Sequence, residues 1–209
     1  MEYDPEEAAA SLRRADKKLG RLMDRVGAFD VEMPARLDPF QALVRSIIYQ
    51  QLSGKAAGTI YGRVCALFPG RRPGMRRIAE MPEEQLRGAG MSRAKVAAVK
   101  DLAQKTLEGV VPGARALQKM DDAEIVSRLT SVRGIGEWTV QMMLMFHMGR
   151  PDVLPVKDLG VRKGFMLTYG LAEMPEPSEM INYCVRWKPY RSVASWYMWR
   201  AVDLHEQSK

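Results

Sequence analysis

Leu129-Thr130-Ser131-Val132-Arg133-Gly134-Ile135-Gly136-Glu137-Trp138-Thr139 is the stretch on which the reading of this chain turns. Before it, Ile125 and Leu129 recur at helical spacing behind an Asp121-Asp122 pair that suits a helix start. After it, Trp138 to Met148 is apolar on nearly every side, the pattern of a helix at a buried centre. Two glycines one residue apart break the helical pattern, so the segment reads as a helix, a tight hairpin and a second helix. Glycine permits positive φ and close approach of another backbone, and the helix that follows offers unpartnered N–H groups and the positive end of its dipole. Gly134, Ile135, Gly136 and Thr139 are therefore candidates for holding a phosphate, with an ordinary helical turn as the alternative.

The flanking sequence is helical as well. Asp38-Pro39 supplies an N-cap and a first-turn proline for a helix whose stripe is Phe40, Leu43, Val44, Ile47, Ile48 and Leu52. Ser53 caps another helix with Ala56, Ala57, Ile60, Val64 and Leu67 facing inward. A Pro/Gly/Arg-rich loop covers Pro69 to Gly74, and a short helix from about Pro82 ends at Gly88-Ala89-Gly90 before Ser92 caps the next. No alternating β-branched run is long enough to seed a sheet, so the fold class is all-α. The expected organisation is one domain over 1–209 in two helical lobes with a cleft between them. Helices of about 38–150 form one lobe, and a charged first helix plus about 151–209 form the other.

Composition narrows the function classes. With 46% hydrophobic residues in 209, the chain can bury a real core. Lys and Arg outnumber Asp and Glu by 32 to 25, and the net charge of +7 favours an anionic partner. The two cysteines, Cys65 and Cys184, lack C-x-x-C spacing, which rules out a four-cysteine iron–sulfur cluster and suits reduced core thiols. The start, Met1-Glu2-Tyr3-Asp4-Pro5, lacks a secretion signal, and no apolar run approaches a membrane span, so an intracellular protein without a membrane partner is expected.

A carboxylate of interest lies in Asp152-Val153-Leu154-Pro155-Val156-Lys157-Asp158-Leu159-Gly160-Val161-Arg162, where Pro155 and Asp158 stand at the start of a new helix. Asp158 is an N-cap there, a functional anion, or both. Asp152 is the rival, placed before the proline where a capping or solvated role is expected.

Taken together, these segments resemble the helix-hairpin-helix glycosylases, specifically the 3-methyladenine DNA glycosylase II family, over roughly residues 38 to 203. The stretch Ser46 to Ser53 looks like the family's lesion-probing segment, Gly90-Met91-Ser92-Arg93-Ala94-Lys95 matches a second stretch, and Val132 to Thr139 matches the hairpin. Leu154 to Leu159 looks like the catalytic segment, and Trp187-Lys188-Pro189-Tyr190-Arg191-Ser192-Val193-Ala194 like the C-terminal signature. The resemblance is to the compact version of the family, without the additional N-terminal β-domain that some relatives carry.

The resemblance implies a monofunctional DNA glycosylase that removes alkylated purines such as 3-methyladenine and 7-methylguanine from double-stranded DNA in base excision repair. Asp158 becomes the catalytic carboxylate, stabilising the oxocarbenium-like sugar and orienting water. The target nucleotide must leave the stack, with Gln51 as the wedge and Leu52 and Ser53 beside it in the minor groove. Trp138, Trp187 and Gln50 become the base pocket, since a cationic base is drawn to tryptophan faces. The lyase branch carries its Schiff-base lysine at the position of Trp138, so base removal without strand cleavage is implied. Thr130, Val132 and Gly134 would present carbonyls to a sodium or potassium ion, with no other cofactor required. The resemblance also implies a monomer acting at the nucleoid in the cytoplasm, or in a nucleus. A non-catalytic helix-hairpin-helix DNA-binding module and a glycosylase-lyase for oxidised bases are the rival readings. Trp196 and Trp199 read as core packing, Tyr49 likewise, and His147 as a core or rim residue.

Overall fold

The computed structural model describes residues 3–208, and every regular element among them is helical. In order these are α1 (Pro5–Ala15), α2 (Lys17–Val26), α3 (Pro39–Tyr49), α4 (Gly54–Ala66), α5 (Met75–Glu80), α6 (Glu83–Gly88), α7 (Arg93–Leu107), α8 (Ala114–Leu117), α9 (Asp122–Thr130), α10 (Glu137–Phe146), α11 (Leu159–Tyr169), α12 (Pro177–Tyr183) and α13 (Arg191–Gln207). Single 3₁₀ turns cover Pro69–Arg71 and Cys184–Trp187. The chain is all-α, as the periodicity requires. No described helix is long and apolar enough to cross a membrane.

Side-chain caps set most of the boundaries. Asp38, Ser53, Ser92 and Asp121 accept main-chain N–H bonds from Gln41, Ala56, Lys95 and Glu124, starting α3, α4, α7 and α9. The expected single first helix is instead two. Asp16 is extended, gives its N–H to Leu12 O, and accepts from Lys18 N and Leu19 N at 3.1 Å, closing α1 and opening α2.

The chain divides into two compact units. One comprises the chain up to Pro34 and from Leu144 onward; the other is Ala35–Met143. In the second unit, Leu43, Val44, Ile47 and Ile48 of α3 are buried with Ile78, Leu86, Val96, Leu102, Ile125 and Leu129. Each such side chain contributes about 1.5–3 kcal/mol by leaving water. In the first unit, Leu12, Leu19, Met23, Phe165, Met180, Trp187, Tyr197 and Met198 form the core. Helix α10 departs from the all-buried expectation: Val140, Met143, Leu144 and Met145 are buried, whereas Trp138 is 48% exposed. Cys65 and Cys184 are buried free thiols.

Candidate functional site

In the second unit the hairpin joins α9 to α10. Gly134 has φ +76°, and a Cβ there would meet Ala98 Cβ at 3.1 Å, so both conformation and space demand glycine. Gly136 is different, with no positive φ and no atom within 4 Å of an added Cβ. Of the two glycines, Gly134 alone is required by a positive φ. Ile135 and Thr139 point inward, buried at 4% and 5% exposure. Ile135 N–H already donates to Val132 O, so Ile135 is an apolar anchor rather than a phosphate donor. Any contribution of Thr139 to an anion is limited to its main chain.

The probing segment lies at the α3–α4 junction. Gln51 is exposed and sits at φ +57°, a left-handed conformation that is uncommon for a residue with a side chain. Leu52 is 39% exposed, and Ser53 caps α4. Gln50 Nε2 donates to Gly134 O at 2.9 Å and lies 3.5 Å from Thr139 Oγ1, so the residue expected in the base pocket also braces this segment against the hairpin. Tyr49 is half-buried, with the Arg45 guanidinium 4.1 Å from its ring centroid.

In the first unit Asp158 caps α11. Its Oδ1 accepts Val161 N–H at 2.8 Å and the indole Nε1 of Trp199 at 2.9 Å. That second bond depends on glycine. A Cβ on Gly164 would lie 1.9 Å from the Met198 carbonyl oxygen, and one on Gly160 would lie 2.6 Å from Trp199 Cδ1. The pair, one helical turn apart on α11, lets α13 approach close enough for the indole to reach the carboxylate.

The rival carboxylate is committed elsewhere. Asp152 takes Arg191 in a two-pronged ion pair, Nε to Oδ1 at 2.6 Å and Nη2 to Oδ2 at 2.9 Å. Next to it, Ser192 Oγ donates to Arg150 O and accepts Val153 N–H. Arg191 and Ser192 thus pin the segment that leads into Asp158, which gives the C-terminal signature its physical content.

Trp187 must be withdrawn from the base pocket. It is wholly buried, packs with Phe165 and Tyr183, and donates Nε1 to Asp16 Oδ2 at 3.1 Å. Tyr169 and Tyr183 hydroxyls donate to the same oxygen at 2.6 and 3.1 Å. Burial pushes the Asp16 carboxyl up, but the bonds from Tyr169, Leu19 N–H, Trp187 and Tyr183 outweigh it and leave the group below its ordinary range. The Tyr169 phenol is raised by burial and by its bond to Asp16.

Residues 44–189 match the family described as HhH-GPD superfamily base excision DNA repair protein. The chain belongs to the HhH-GPD superfamily. It is 31% identical to DNA-3-methyladenine glycosylase 1 of Schizosaccharomyces pombe, over 99% of this chain and 94% of that protein. The solved structure of the 3-methyladenine DNA glycosylase from that yeast, in complex with abasic DNA, is similar at a TM-score of 0.82 over 93% of this chain and 95% of that one. DNA-3-methyladenine glycosidase of Bacillus halodurans is 32% identical with a TM-score of 0.86, covering 96% of this chain and 91% of its own.

Sequence reasoning missed three polar residues of this HhH-GPD chain. Trp199 was placed in the core, yet it holds Asp158. Asp16, which the sequence does not single out, is 5% exposed at the centre of a hydrogen-bonded cluster. Lys95 was matched as part of a stretch without a role, yet its ammonium reaches the carbonyls of Ile48 and Gln50. The glycine spacing Gly160-x-x-x-Gly164 was the one sequence signal that α13 comes close to Asp158.

Proposed function

We propose that this chain is a monofunctional DNA glycosylase that removes alkylated purines, 3-methyladenine and 7-methylguanine, with Asp158 as the catalytic carboxylate. The observation that carries the reading is the Asp158 carboxylate, held at the start of α11 by Val161 N–H and Trp199 Nε1. Relatives named DNA-3-methyladenine glycosylase support the substrate class.

The chemistry asks for little else. In the methylated nucleoside the base is already cationic, so when the C1′–N bond breaks the bonding pair goes to the base, which departs neutral without a proton donor. The sugar becomes oxocarbenium-like, and a fixed anion beside C1′ stabilises it. Water oxygen then bonds to C1′, and its proton passes to Asp158 or to solvent. Trp138 offers an exposed indole face to the extruded cationic base. It occupies the hairpin position of the lyase lysine and cannot form an imine, so the strand stays intact.

The hairpin would meet a phosphate through the main chain around Gly134 and Gly136 and the first turn of α10, with Gln51 as the wedge in duplex DNA and a single copy of the chain acting. The carbonyls of Thr130, Val132 and Gly134 are neutral oxygens of the kind that suit sodium or potassium, although Gly134 O and Val132 O each already accept one N–H bond. Bound there, the ion would offset phosphate charge. Action on DNA places the protein at a nucleoid or in a nucleus.

The test is base release from methylated duplex DNA by the wild type and by Asp158→Asn. The wild type should liberate 3-methyladenine and 7-methylguanine without nicking, and the variant should be slower by on the order of 100-fold or more. Equal release by both removes Asp158 from its role. DNA binding with no release by either favours the non-catalytic module, and borohydride-trapped nicking favours the glycosylase-lyase.

A further inference from the structure

In the second unit two motifs far apart in sequence meet at one ammonium group, and the Gln50 side chain joins them to a third. Lys95, in the first turn of α7, donates from Nζ to Ile48 O at 2.7 Å and to Gln50 O at 2.8 Å. Gln50 in turn gives its Nε2 to Gly134 O of the hairpin at 2.9 Å. Further along α7, Asp101 Oδ2 accepts Arg133 N–H at 2.7 Å, and Lys105 bonds both Asp101 and Ser131 O. One helix therefore grips the probing segment near its start and the hairpin two turns later.

Between those grips lies Gln51, exposed and left-handed at φ +57°. Such a conformation persists in a non-glycine residue only where the surroundings over-determine it. Here the chain is fixed on both sides, by Lys95 on Gln50 O and by Leu52 N–H on Tyr49 O at 3.4 Å. Lys95 is half-buried, and loss of water pulls its pKa below the ordinary lysine value. Two main-chain carbonyls at the end of α3 replace part of the water that the ammonium has lost.

We propose that Lys95 is a positioning residue for lesion interrogation: it presets the left-handed turn at Gln51 and, through Gln50, ties that turn to the hairpin. The proposal rests on the glycosylase reading above. A preset turn enters the duplex without first having to be ordered, so it fills the gap before the extruded nucleotide returns. Without Lys95 the turn becomes one conformer among several, and extrusion from a paired site fails more often. A lesion that is already unpaired has no gap to fill.

The experiment compares wild type, Lys95→Met and Lys95→Arg under single-turnover conditions on 7-methylguanine, first paired in a duplex and then unpaired in a single-stranded loop. Two bonds from a charged donor are lost, so Lys95→Met should slow release from the duplex by about tenfold or more and leave the unpaired site within about twofold. Lys95→Arg, which keeps two donors, should recover most of the rate. Fluorescence of 2-aminopurine beside the lesion should show weaker extrusion by Lys95→Met. A parallel fall on both substrates, or none on either, overturns the proposal. If Lys95→Met does not fold, Gln50→Leu removes the brace at its other end and must show the same split. If the wild type releases no base at all, the glycosylase reading fails instead; the 2-aminopurine signal then judges Lys95, and equal signals from wild type and variant overturn its role.

Discussion

Trp199 Nε1 and Val161 N–H converge on one oxygen of Asp158, at 2.9 and 2.8 Å. The main-chain bond alone would make Asp158 an ordinary helix cap. The indole adds a constraint from a second helix, and its ring also packs against Phe146 at 5.8 Å between centroids. Trp199→Phe keeps that packing and removes the donor. The expected outcome is a fall of about tenfold in single-turnover base release, the size of one lost bond to a charged group, with affinity for abasic-site duplex unchanged. An unchanged rate would make the indole contact incidental to the chemistry.

The parts of the fold legible in sequence were those set by neighbours in the chain. Asp38, Ser53, Ser92, Asp121 and Asp158 all read as caps because a cap bonds to an N–H two or three residues on. What depends on packing between distant segments was not legible. Trp187 and Trp138 look alike as exposed-or-buried candidates until Asp16, 171 residues before Trp187, is seen to take the indole N–H. Gln50 likewise has a side-chain amide with two N–H donors and one acceptor to place until Gly134, 84 residues on, takes a donor.

Close approach of α13 to α11 yields a contrast between glycines. Gly164→Ala would drive a Cβ to within 1.9 Å of a main-chain oxygen that cannot swing aside, so the helices must separate. A cost of about 3 kcal/mol or more is expected, lowering Tm by roughly 6–12 °C. Gly62→Ala, inside α4 with open space around an added Cβ, should gain about 0.5–1 kcal/mol instead. Thermal unfolding of both variants checks the pair, and similar shifts would show that the α11–α13 approach is not tight.

The hairpin glycines should also separate. Gly134→Ala meets both a positive φ and Ala98, and should weaken DNA binding while making the plot of log affinity against log salt shallower by about one phosphate contact, a slope change near 0.9. Gly136→Ala meets neither obstacle in the protein, so its stability should stay within about 0.5 kcal/mol. Any affinity it loses then measures how closely a phosphate approaches. Unchanged salt slopes for both variants would count against a phosphate at this hairpin.

The two tryptophans first paired as a base pocket should fail in different ways. Trp138→Ala removes an exposed face and should reduce the preference for cationic 7-methylguanine over neutral hypoxanthine by roughly 3- to 30-fold, the range of a cation–π contact. Trp187→Ala empties a core site and leaves Asp16 short of a donor, costing about 3–5 kcal/mol and lowering release of both bases alike. A panel of the two lesions with each variant, alongside urea unfolding, distinguishes them.

Asp16 makes stability depend on acid in a defined direction. Its carboxyl is held below the ordinary range because Tyr169, Leu19 N–H, Trp187 and Tyr183 together outweigh the opposing effect of burial. The folded state therefore binds this proton more weakly than the unfolded chain does, and the stabilisation is complete above the unfolded value near 4. It declines as pH falls from there and is gone once pH passes below the folded value. Asp16→Asn keeps the side-chain shape but replaces the anion that three ring donors share. Urea unfolding of wild type and variant across pH 7 to 2.5 should show the wild type more stable at neutral pH by about 2 kcal/mol or more, with the gap narrowing only below about pH 4. A gap that stays constant over that range would mean that shape, not charge, makes Asp16 matter.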